Sequence, residues 1–343
     1  MNKLSSVQAL RALAALMVVI LHSKIIFSAE ERKLLLTIPG FTDIGYYGVQ
    51  LFFVISGFII SMVVSKPNYD VRSFAIRRVF RIFPLWWLVM SVGLATYFSE
   101  SWFRADVEAL GTAGIVKSYL LLPQKTYPFI NVGWSLEYEL IFYAIVAVLL
   151  PFIRLWGIAL TCFGLTAAAL VLKPTYGFRI IDNSYLFFGI GIIAYFCATY
   201  SWRTAFPIAV IGCGLAYARF FEAITIRIDV AYIALAVGFA ALLVTVLSLE
   251  RSGWKVPRIV VAIGDASYSL YLWHWLLIPV VGRLRWKGFD MAGSPELWRW
   301  VLVILSIVVA LLSYRFLELP TIAVGERFAR RCVKRIRPIV DLN

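Results

Sequence analysis

The feature that most limits what this chain can fold into is a series of long apolar runs. A helix needs about 20 predominantly apolar residues to cross the hydrocarbon core of a bilayer. The pattern therefore predicts an all-α polytopic membrane protein with about ten transmembrane helices. The apolar runs lie roughly at 7–26, 45–65, 83–99, 133–152, 156–172, 184–200, 204–220, 229–249, 259–282 and 297–317.

Composition supports the same conclusion, because 62% of the 343 residues are hydrophobic and only 15% are charged. Soluble domains are nearer to half apolar and a quarter charged. The formal net charge of +14 would indicate nucleic-acid binding in a soluble chain. In a membrane protein it is typical of cytoplasmic loops, so we expect no nucleic-acid partner. The four cysteines have no zinc-site or disulfide spacing, and we expect no metal.

The distribution of charge predicts the orientation. Basic residues are concentrated in 66–84 and 327–337, which fall on one side of the membrane. The positive-inside rule then places both termini in the cytoplasm. Arg11 interrupts the first apolar run and no clear cleavage site follows, which favours a retained helix over a signal peptide. We expect one membrane domain over 1–320 and a basic cytoplasmic tail over 321–343, which contacts membrane lipids.

Arg11 and His22 lie within the first apolar run, where ionisable side chains are costly and usually functional. Eleven residues at 100° each make three turns and 20°, so both side chains lie on one helix face. They are separated by about 16 Å along the helix axis. With the N-terminus inside, Arg11 lies on the cytoplasmic side and His22 near the outer end.

His274 is the other histidine of the chain and lies similarly far along the ninth run. The fourth run starts outside, so Glu137 and Glu139 are expected at the same depth as both histidines. A histidine beside a carboxylate is suited to general acid–base chemistry. The two glutamates are about 200° apart, so only one is expected to face the site. The alternative is that the histidines only form hydrogen bonds between helices.

Arg77, Arg78 and Arg81 are neighbours on one helix near the cytoplasm. Their guanidinium groups suit the phosphates of an anionic ligand, although anchoring to lipid phosphate is the alternative. Asp265 either pairs with Arg11 or serves the same pocket. Ser56 with Gly57, and the Gly-x-Gly of 187–192, are interpreted as close helix contacts.

Six motifs, in order, resemble the membrane-bound acyltransferase family 3 over nearly the whole chain. The first is Arg11 and His22 in an Arg-x10-His arrangement. The others are GVQLFFVISGFIIS (48–61), RRVFRIFP (77–84), WSLEYE (134–139), GDASYSLYLWHW (264–275) and SYRFLELP (313–320).

The resemblance implies a compact, multi-pass acyltransferase of the bacterial inner membrane, similar to those that modify exopolysaccharide or O-antigen. It implies acyl-CoA, usually acetyl-CoA, as the donor from the cytoplasm. The implied acceptor is a hydroxyl of an extracytoplasmic or lipid-linked carbohydrate.

The resemblance also implies roles for individual residues. His22 would be the catalytic base or the residue that accepts the acyl group, and Glu139 would orient or charge a histidine. Many members have a second acid directly afterwards, where this chain has Leu140, so either Glu137 compensates or that acid is dispensable. Arg11, Arg77, Arg78 and Arg81 would bind the donor, and His274, Tyr268 and Tyr271 would line the acceptor side. Trp134 and Ser135 are candidates to stabilise an oxyanion.

Two other classes of function remain open from the residues alone. A bundle with buried Arg, Glu, Asp and His is compatible with a proton-coupled transporter of an anionic solute. Such a transporter is favoured by inverted repeats, and none is found in the sequence. A scaffold for a polysaccharide export complex predicts that His22→Ala leaves function intact.

Overall fold

A computed structural model describes residues 4–28, 31–32, 43–97, 104–174, 179–286 and 295–340. Over these residues the chain is all-helical, as the apolar pattern predicts. The helices are α1 Ser5–His22, α2 Gly48–Val64, α3 Val71–Tyr97, α4 Arg104–Leu120, α5 Trp134–Leu172, α6 Tyr185–Phe196, α7 Trp202–Phe220, α8 Ile228–Arg251, α9 Arg258–Asp265, α10 Ser267–Trp286, α11 Pro295–Ser313 and α12 Leu319–Val340.

Several of these helices can cross a membrane, which makes the chain a multi-pass membrane protein. Within the described residues, 6 stretches are long and apolar enough, so the number of about ten stays a prediction, as does the orientation. The six are Ser5–Ile26, Gly45–Val64, Val71–Thr96, Asn131–Leu172, Ile228–Arg251 and Pro295–Cys332.

Three of the predicted runs need a closer description. The runs at 133–152 and 156–172 form the two halves of α5, which meet at a kink where Arg154 has a non-helical backbone with φ 56°. The run at 184–200 forms α6, which has 12 residues. At 1.5 Å per residue, α6 is only about 18 Å long and does not reach across the hydrocarbon core by itself.

Glycines bring α2 and α6 into backbone contact near the centre of the bundle. A Cβ atom on Gly57 would lie 2.2 Å from the carbonyl oxygen of Phe188, and one on Gly191 would lie 2.2 Å from that of Val54. Small residues allow such close approach in membrane helices. The structure thus confirms the predicted close contact at both motifs, and it fixes the α2 face that lines the site.

The chain after α11 continues as a helix rather than as an extended tail. A π-helical turn, Tyr314–Glu318, joins α11 to α12. Helix α12 packs along α3, where Phe80 stacks on Phe328 with ring centroids 5.6 Å apart. The predicted boundary at residue 320 therefore lies inside a helical segment, close to the π-helical turn.

Candidate functional site

Two cavities lie against each other inside the bundle. The first, called here the arginine cavity, has a volume of about 350 Å³, within the range of small-molecule sites. It lies among α1, α2, α3, α5 and α10. Its polar lining consists of Gln8, Arg11, Ser56, Arg78, Arg81, Ser135, Glu139, Tyr143, Ser267, Tyr268 and Tyr271.

The second cavity, called here the histidine cavity, has a volume of about 620 Å³. It is built by the end of α1 that carries His22, the starts of α2, α5 and α8, the end of α7, and α10. Its polar and aromatic lining consists of His22, Tyr46, Tyr47, Gln50, Tyr127, Asn131, Trp134, Arg219, Phe220, Tyr232 and Tyr271.

Tyr271 and Val49 line both cavities and so form part of the wall between them. The Tyr271 hydroxyl donates to the carbonyl oxygen of Val132 at 2.8 Å and lies 2.7 Å from Ser135 Oγ. These bonds hold the ring in place at the start of α5. Movement of a ligand group from one cavity to the other has to pass this wall.

Three arginines line the first cavity without an ion pair to any residue of the described chain. Arg11 and Arg81 lie close enough to repel each other electrostatically. The Arg78 guanidinium carbon lies 5.1 Å from the centroid of the Tyr143 ring, and its Nε is buried without a hydrogen-bond partner. Because buried polar groups are normally paired, this arrangement indicates a site for an anionic ligand.

Two carboxylates accompany these arginines. Glu139 accepts hydrogen bonds from Ser56 Oγ at 3.2 Å and from the Tyr143 hydroxyl. Glu318 is 1% exposed and accepts from Ser269 Oγ at 2.8 Å. It interacts electrostatically with Arg11 and Arg81. The two acids therefore offset part of the repulsion among the three cations.

The sequence analysis assigned no place in the site to Ser56, Tyr143 or Glu318. Glu318 closes the π-helical turn, and such turns are frequent at functional sites. The motif SYRFLELP contains it, so a signal was present in the sequence. Ser56, interpreted as a packing residue, also reaches Glu139 from α2.

Four predicted site residues line neither cavity: Arg77, Glu137, Asp265 and His274. Arg77 Nε lies 3.0 Å from Glu326 of α12. Glu137 lies 2.7 Å from Arg179 Nε in a pair whose side chains are 0% and 1% exposed. Asp265 lies beside Gln8, whose amide donates to it at 3.3 Å once oriented to satisfy its hydrogen bonds.

His22 lines the histidine cavity, and the fully buried His274 contacts it without lining the cavity, so the expectation that His274 lines the acceptor side is wrong. Their rings are stacked with an interplanar angle of 4°, and His22 Nδ1 lies 2.9 Å from His274 Nε2. His274 Nδ1 lies 3.1 Å from the carbonyl oxygen of Leu270. The prediction that α1 and α10 bring both histidines to one depth agrees with this geometry.

The hydrogen-bond chain decides which ring nitrogens carry protons. A carbonyl oxygen only accepts, so neutral His274 holds its proton on Nδ1 and presents Nε2 as an acceptor. Neutral His22 then donates through Nδ1, which leaves its Nε2 unprotonated. A backbone carbonyl thus sets the tautomer of the histidine that lines the cavity.

The expectation that Glu139 orients a histidine is wrong in this structure. Its hydrogen-bond partners are Ser56 and Tyr143, and it lines the arginine cavity. Tyr268 likewise lines the arginine cavity rather than the cavity that contains His22, and donates to the carbonyl oxygen of Ile82 at 2.6 Å. Helix periodicity gives depth only approximately, and it does not tell which neighbouring helix a side chain meets.

Comparison with known proteins agrees with this arrangement. A family model described as an acyltransferase domain matches residues 4–315. The chain belongs to acyltransferase family 3, and it is an O-acyltransferase.

Relatives in this family carry related descriptions. The chain is 27% identical over 307 residues to the exopolysaccharide production protein ExoZ of Rhizobium meliloti, covering 84% of this chain and 92% of ExoZ. It is 26% identical to the putative membrane-bound transacylase BcsY of Komagataeibacter xylinus, covering 92% and 82%. It is 23% identical to the O-acetyltransferase OatA of Staphylococcus aureus, covering 80% and 52%. No solved structure matches the chain significantly.

Proposed function

We propose that the protein transfers an acyl group, most simply acetyl, from cytoplasmic acyl-CoA to a hydroxyl of an extracytoplasmic or lipid-linked carbohydrate such as exopolysaccharide. The observation that carries this proposal is the pair of adjoining cavities. One presents three arginines that form no ion pair with the described residues, and the other presents a histidine whose Nε2 has no hydrogen-bond partner among those residues. The name of ExoZ supports a polysaccharide acceptor, and we place the protein in the bacterial inner membrane.

The donor occupies the arginine cavity in this proposal. Arg78 and Arg81 bind CoA phosphates, because guanidinium groups form strong charge-assisted bonds with phosphate oxygens. Arg11 lies further along the same cavity and guides the remainder of the donor. Arg77 is left out of this set, since Glu326 already engages its guanidinium outside the cavity.

The acceptor occupies the histidine cavity. His22 Nε2 takes the proton of the sugar hydroxyl while that oxygen attacks the thioester carbonyl, and the CoA thiolate leaves. His274 is a positioning residue that keeps the proton of His22 on Nδ1. A two-step route through an acyl-histidine uses the same Nε2 atom as the nucleophile.

The oxyanion that forms on the thioester carbonyl needs a hydrogen-bond donor. Ser135 is already bonded to Tyr271 and to Val132. Trp134 lines the same cavity as His22, so we assign this role to Trp134. Glu139 has a different role from the one first expected, and keeps the arginines of the donor site oriented.

The test is label transfer from radiolabelled acetyl-CoA by the purified, full-length protein supplied with envelope glycans. We expect the wild type to label sugar and His22→Ala to lower the rate by about 10²–10⁴-fold, the usual contribution of general-base catalysis. Label retained on the wild-type protein distinguishes the two-step route from the one-step route. Activity of His22→Ala equal to that of the wild type contradicts the proposed chemistry.

A further inference from the structure

The histidine cavity has a charge that the transfer reaction itself does not require. Apart from His22, its only ionisable cation among the described lining residues is Arg219, and no Asp or Glu lines it. By contrast, the arginine cavity contains Glu139 and lies close to Glu318. Among its described lining residues, the histidine cavity therefore has a positive charge and no carboxylate, and Asp182 lies behind Tyr232 in its wall.

The position of Arg219 is fixed by a single hydrogen bond. Its Nε donates to the carbonyl oxygen of Ile226 at 2.8 Å, in the turn between α7 and α8. That bond uses one of the five N–H donors of the guanidinium. The two terminal nitrogens, which carry the other four, have no hydrogen-bond partner among the described residues. Arg219 is only partly buried, and a guanidinium with donors to spare in a cavity wall suits an anionic ligand group.

A second, independent feature of the cavity also indicates a ligand. The Oε1 atom of Gln50 is buried and has no hydrogen-bond partner in the part of the chain that the structure describes, although its residue lines the cavity. An amide oxygen of this kind accepts a hydrogen bond from a hydroxyl. Asn131 provides a second amide, and Tyr46 and Trp134 provide aromatic surfaces. Together they offer acceptors, donors and apolar faces to a sugar.

We propose that the carbohydrate acceptor is anionic and that Arg219 binds its negative group. The inference rests on the proposed function, because it assigns the acceptor to the histidine cavity. The negative group is an oxyanion, and it has two possible sources. One is a carboxylate carried by a sugar of the glycan, and the other is the diphosphate of a lipid-linked sugar. Both accept the paired N–H bonds that a guanidinium presents.

The test compares acceptors of equal length with the full-length protein. The probes are a neutral oligosaccharide, the same oligosaccharide with one uronic acid, and a neutral sugar on a polyprenyl diphosphate. Binding is measured by calorimetry without donor, and acetyl transfer is measured separately. We expect an anionic probe to bind about tenfold or more tightly than the neutral one, the usual scale for a charge-assisted bond. The uronic acid and the diphosphate probes distinguish the two sources.

The variants are Arg219→Gln and Arg219→Lys, with Arg227→Gln as a matched control. Arg227 lies in the same turn region but is 83% exposed and pairs with Asp229. Arg219→Gln is expected to lower the affinity for the anionic probe about tenfold and to leave the affinity for the neutral probe unchanged. Arg219→Lys should restore part of the affinity, and Arg227→Gln should have no effect.

The inference is overturned if the wild type binds the neutral and anionic probes with equal affinity. It is also overturned if Arg219→Gln lowers the affinity for both probes by the same factor. Because binding is read without turnover, the result does not depend on the donor. Failure of acetyl transfer to every glycan, with selective binding intact, instead contradicts the proposed transferase reaction.

Discussion

The two cavities differ in how the chain arranges their charged groups. In the arginine cavity, cations come from α1 and α3, and carboxylates from α5 and the π-helical turn lie close to them. At the histidine cavity, the His22 ring lies within hydrogen-bond distance of the buried His274 ring, which in turn contacts a backbone carbonyl. The first arrangement suits binding of a phosphate-rich molecule. The second suits proton transfer, since it leaves one ring nitrogen free to act.

The wall between the two cavities separates binding from chemistry. Tyr271 contributes to both cavities, and its hydroxyl is held by backbone and side-chain bonds. Binding and chemistry can therefore be changed separately by mutation, unless the wall itself is altered.

Removal of both donor-site arginines should have the largest effect. Arg78→Ala with Arg81→Ala should raise KM for acetyl-CoA at least a hundredfold, because two charge-assisted contacts of about 1.5–3 kcal/mol each are lost. Affinity for the glycan should stay unchanged. Steady-state kinetics with each substrate varied in turn provide the measurement.

Arg77→Ala is the matched control for that experiment. It removes a neighbouring arginine that pairs with Glu326 outside the cavity, and exposed pairs contribute little. We expect its KM for acetyl-CoA to stay within about twofold of the wild type. A rise in KM for acetyl-CoA as large as that of the double variant would contradict the conclusion that Arg77 lies outside the donor site.

His274→Phe should have the next largest effect, a fall in kcat of about 10–100-fold, as for other residues that orient a functional histidine. The phenyl ring keeps the stacking surface but removes the acceptor for His22 Nδ1. The KM values of donor and acceptor should change little. His274→Gln, which retains an amide acceptor, should recover part of kcat. A purely structural role predicts loss of folded protein instead, with unchanged kcat per folded molecule.

Tyr271→Phe should have a smaller effect. It removes the hydroxyl that bonds to Val132 and Ser135, and one neutral hydrogen bond contributes about 1 kcal/mol. We expect a change of about fivefold in kcat and an increase in acetyl-CoA hydrolysis without acceptor, because the loosened wall admits water to the donor. The ratio of hydrolysis to transfer measures this. An unchanged ratio would show that the hydroxyl does not control passage between the cavities.

Glu137→Gln should have the smallest effect on catalysis, within about twofold, since this residue lines neither cavity. It should nevertheless lower stability, because it removes the buried carboxylate that pairs with Arg179 Nε. Breaking a buried pair costs about 3–5 kcal/mol, which thermal unfolding in detergent will detect. Glu139→Gln serves as the contrast and should raise KM for acetyl-CoA. A large catalytic loss in Glu137→Gln without a stability change would place Glu137 at the site after all.

The candidate site was predictable in part. The 11-residue spacing placed Arg11 and His22 on one face of α1, and the structure confirms that each lines a cavity. His22 and His274 contact each other, which agrees with their expected similar depth in the membrane. Arg77 differs from Arg78 and Arg81 only in its rotation about α3, and that rotation places it against Glu326 of α12.

The sequence by itself determined the all-helical membrane architecture, the family, and which ionisable residues are unusual. Those properties depend on local composition and on helix periodicity, which any chain of this kind displays in its sequence. Only the tertiary structure decided that Glu139 lines the arginine cavity, that Glu137 pairs with Arg179, that Glu318 lies near Arg81, and that Arg219 lines the histidine cavity. These contacts join residues 42 to hundreds of positions apart, and they depend on how helices are rotated against each other. Packing sets that rotation, and no local pattern records it.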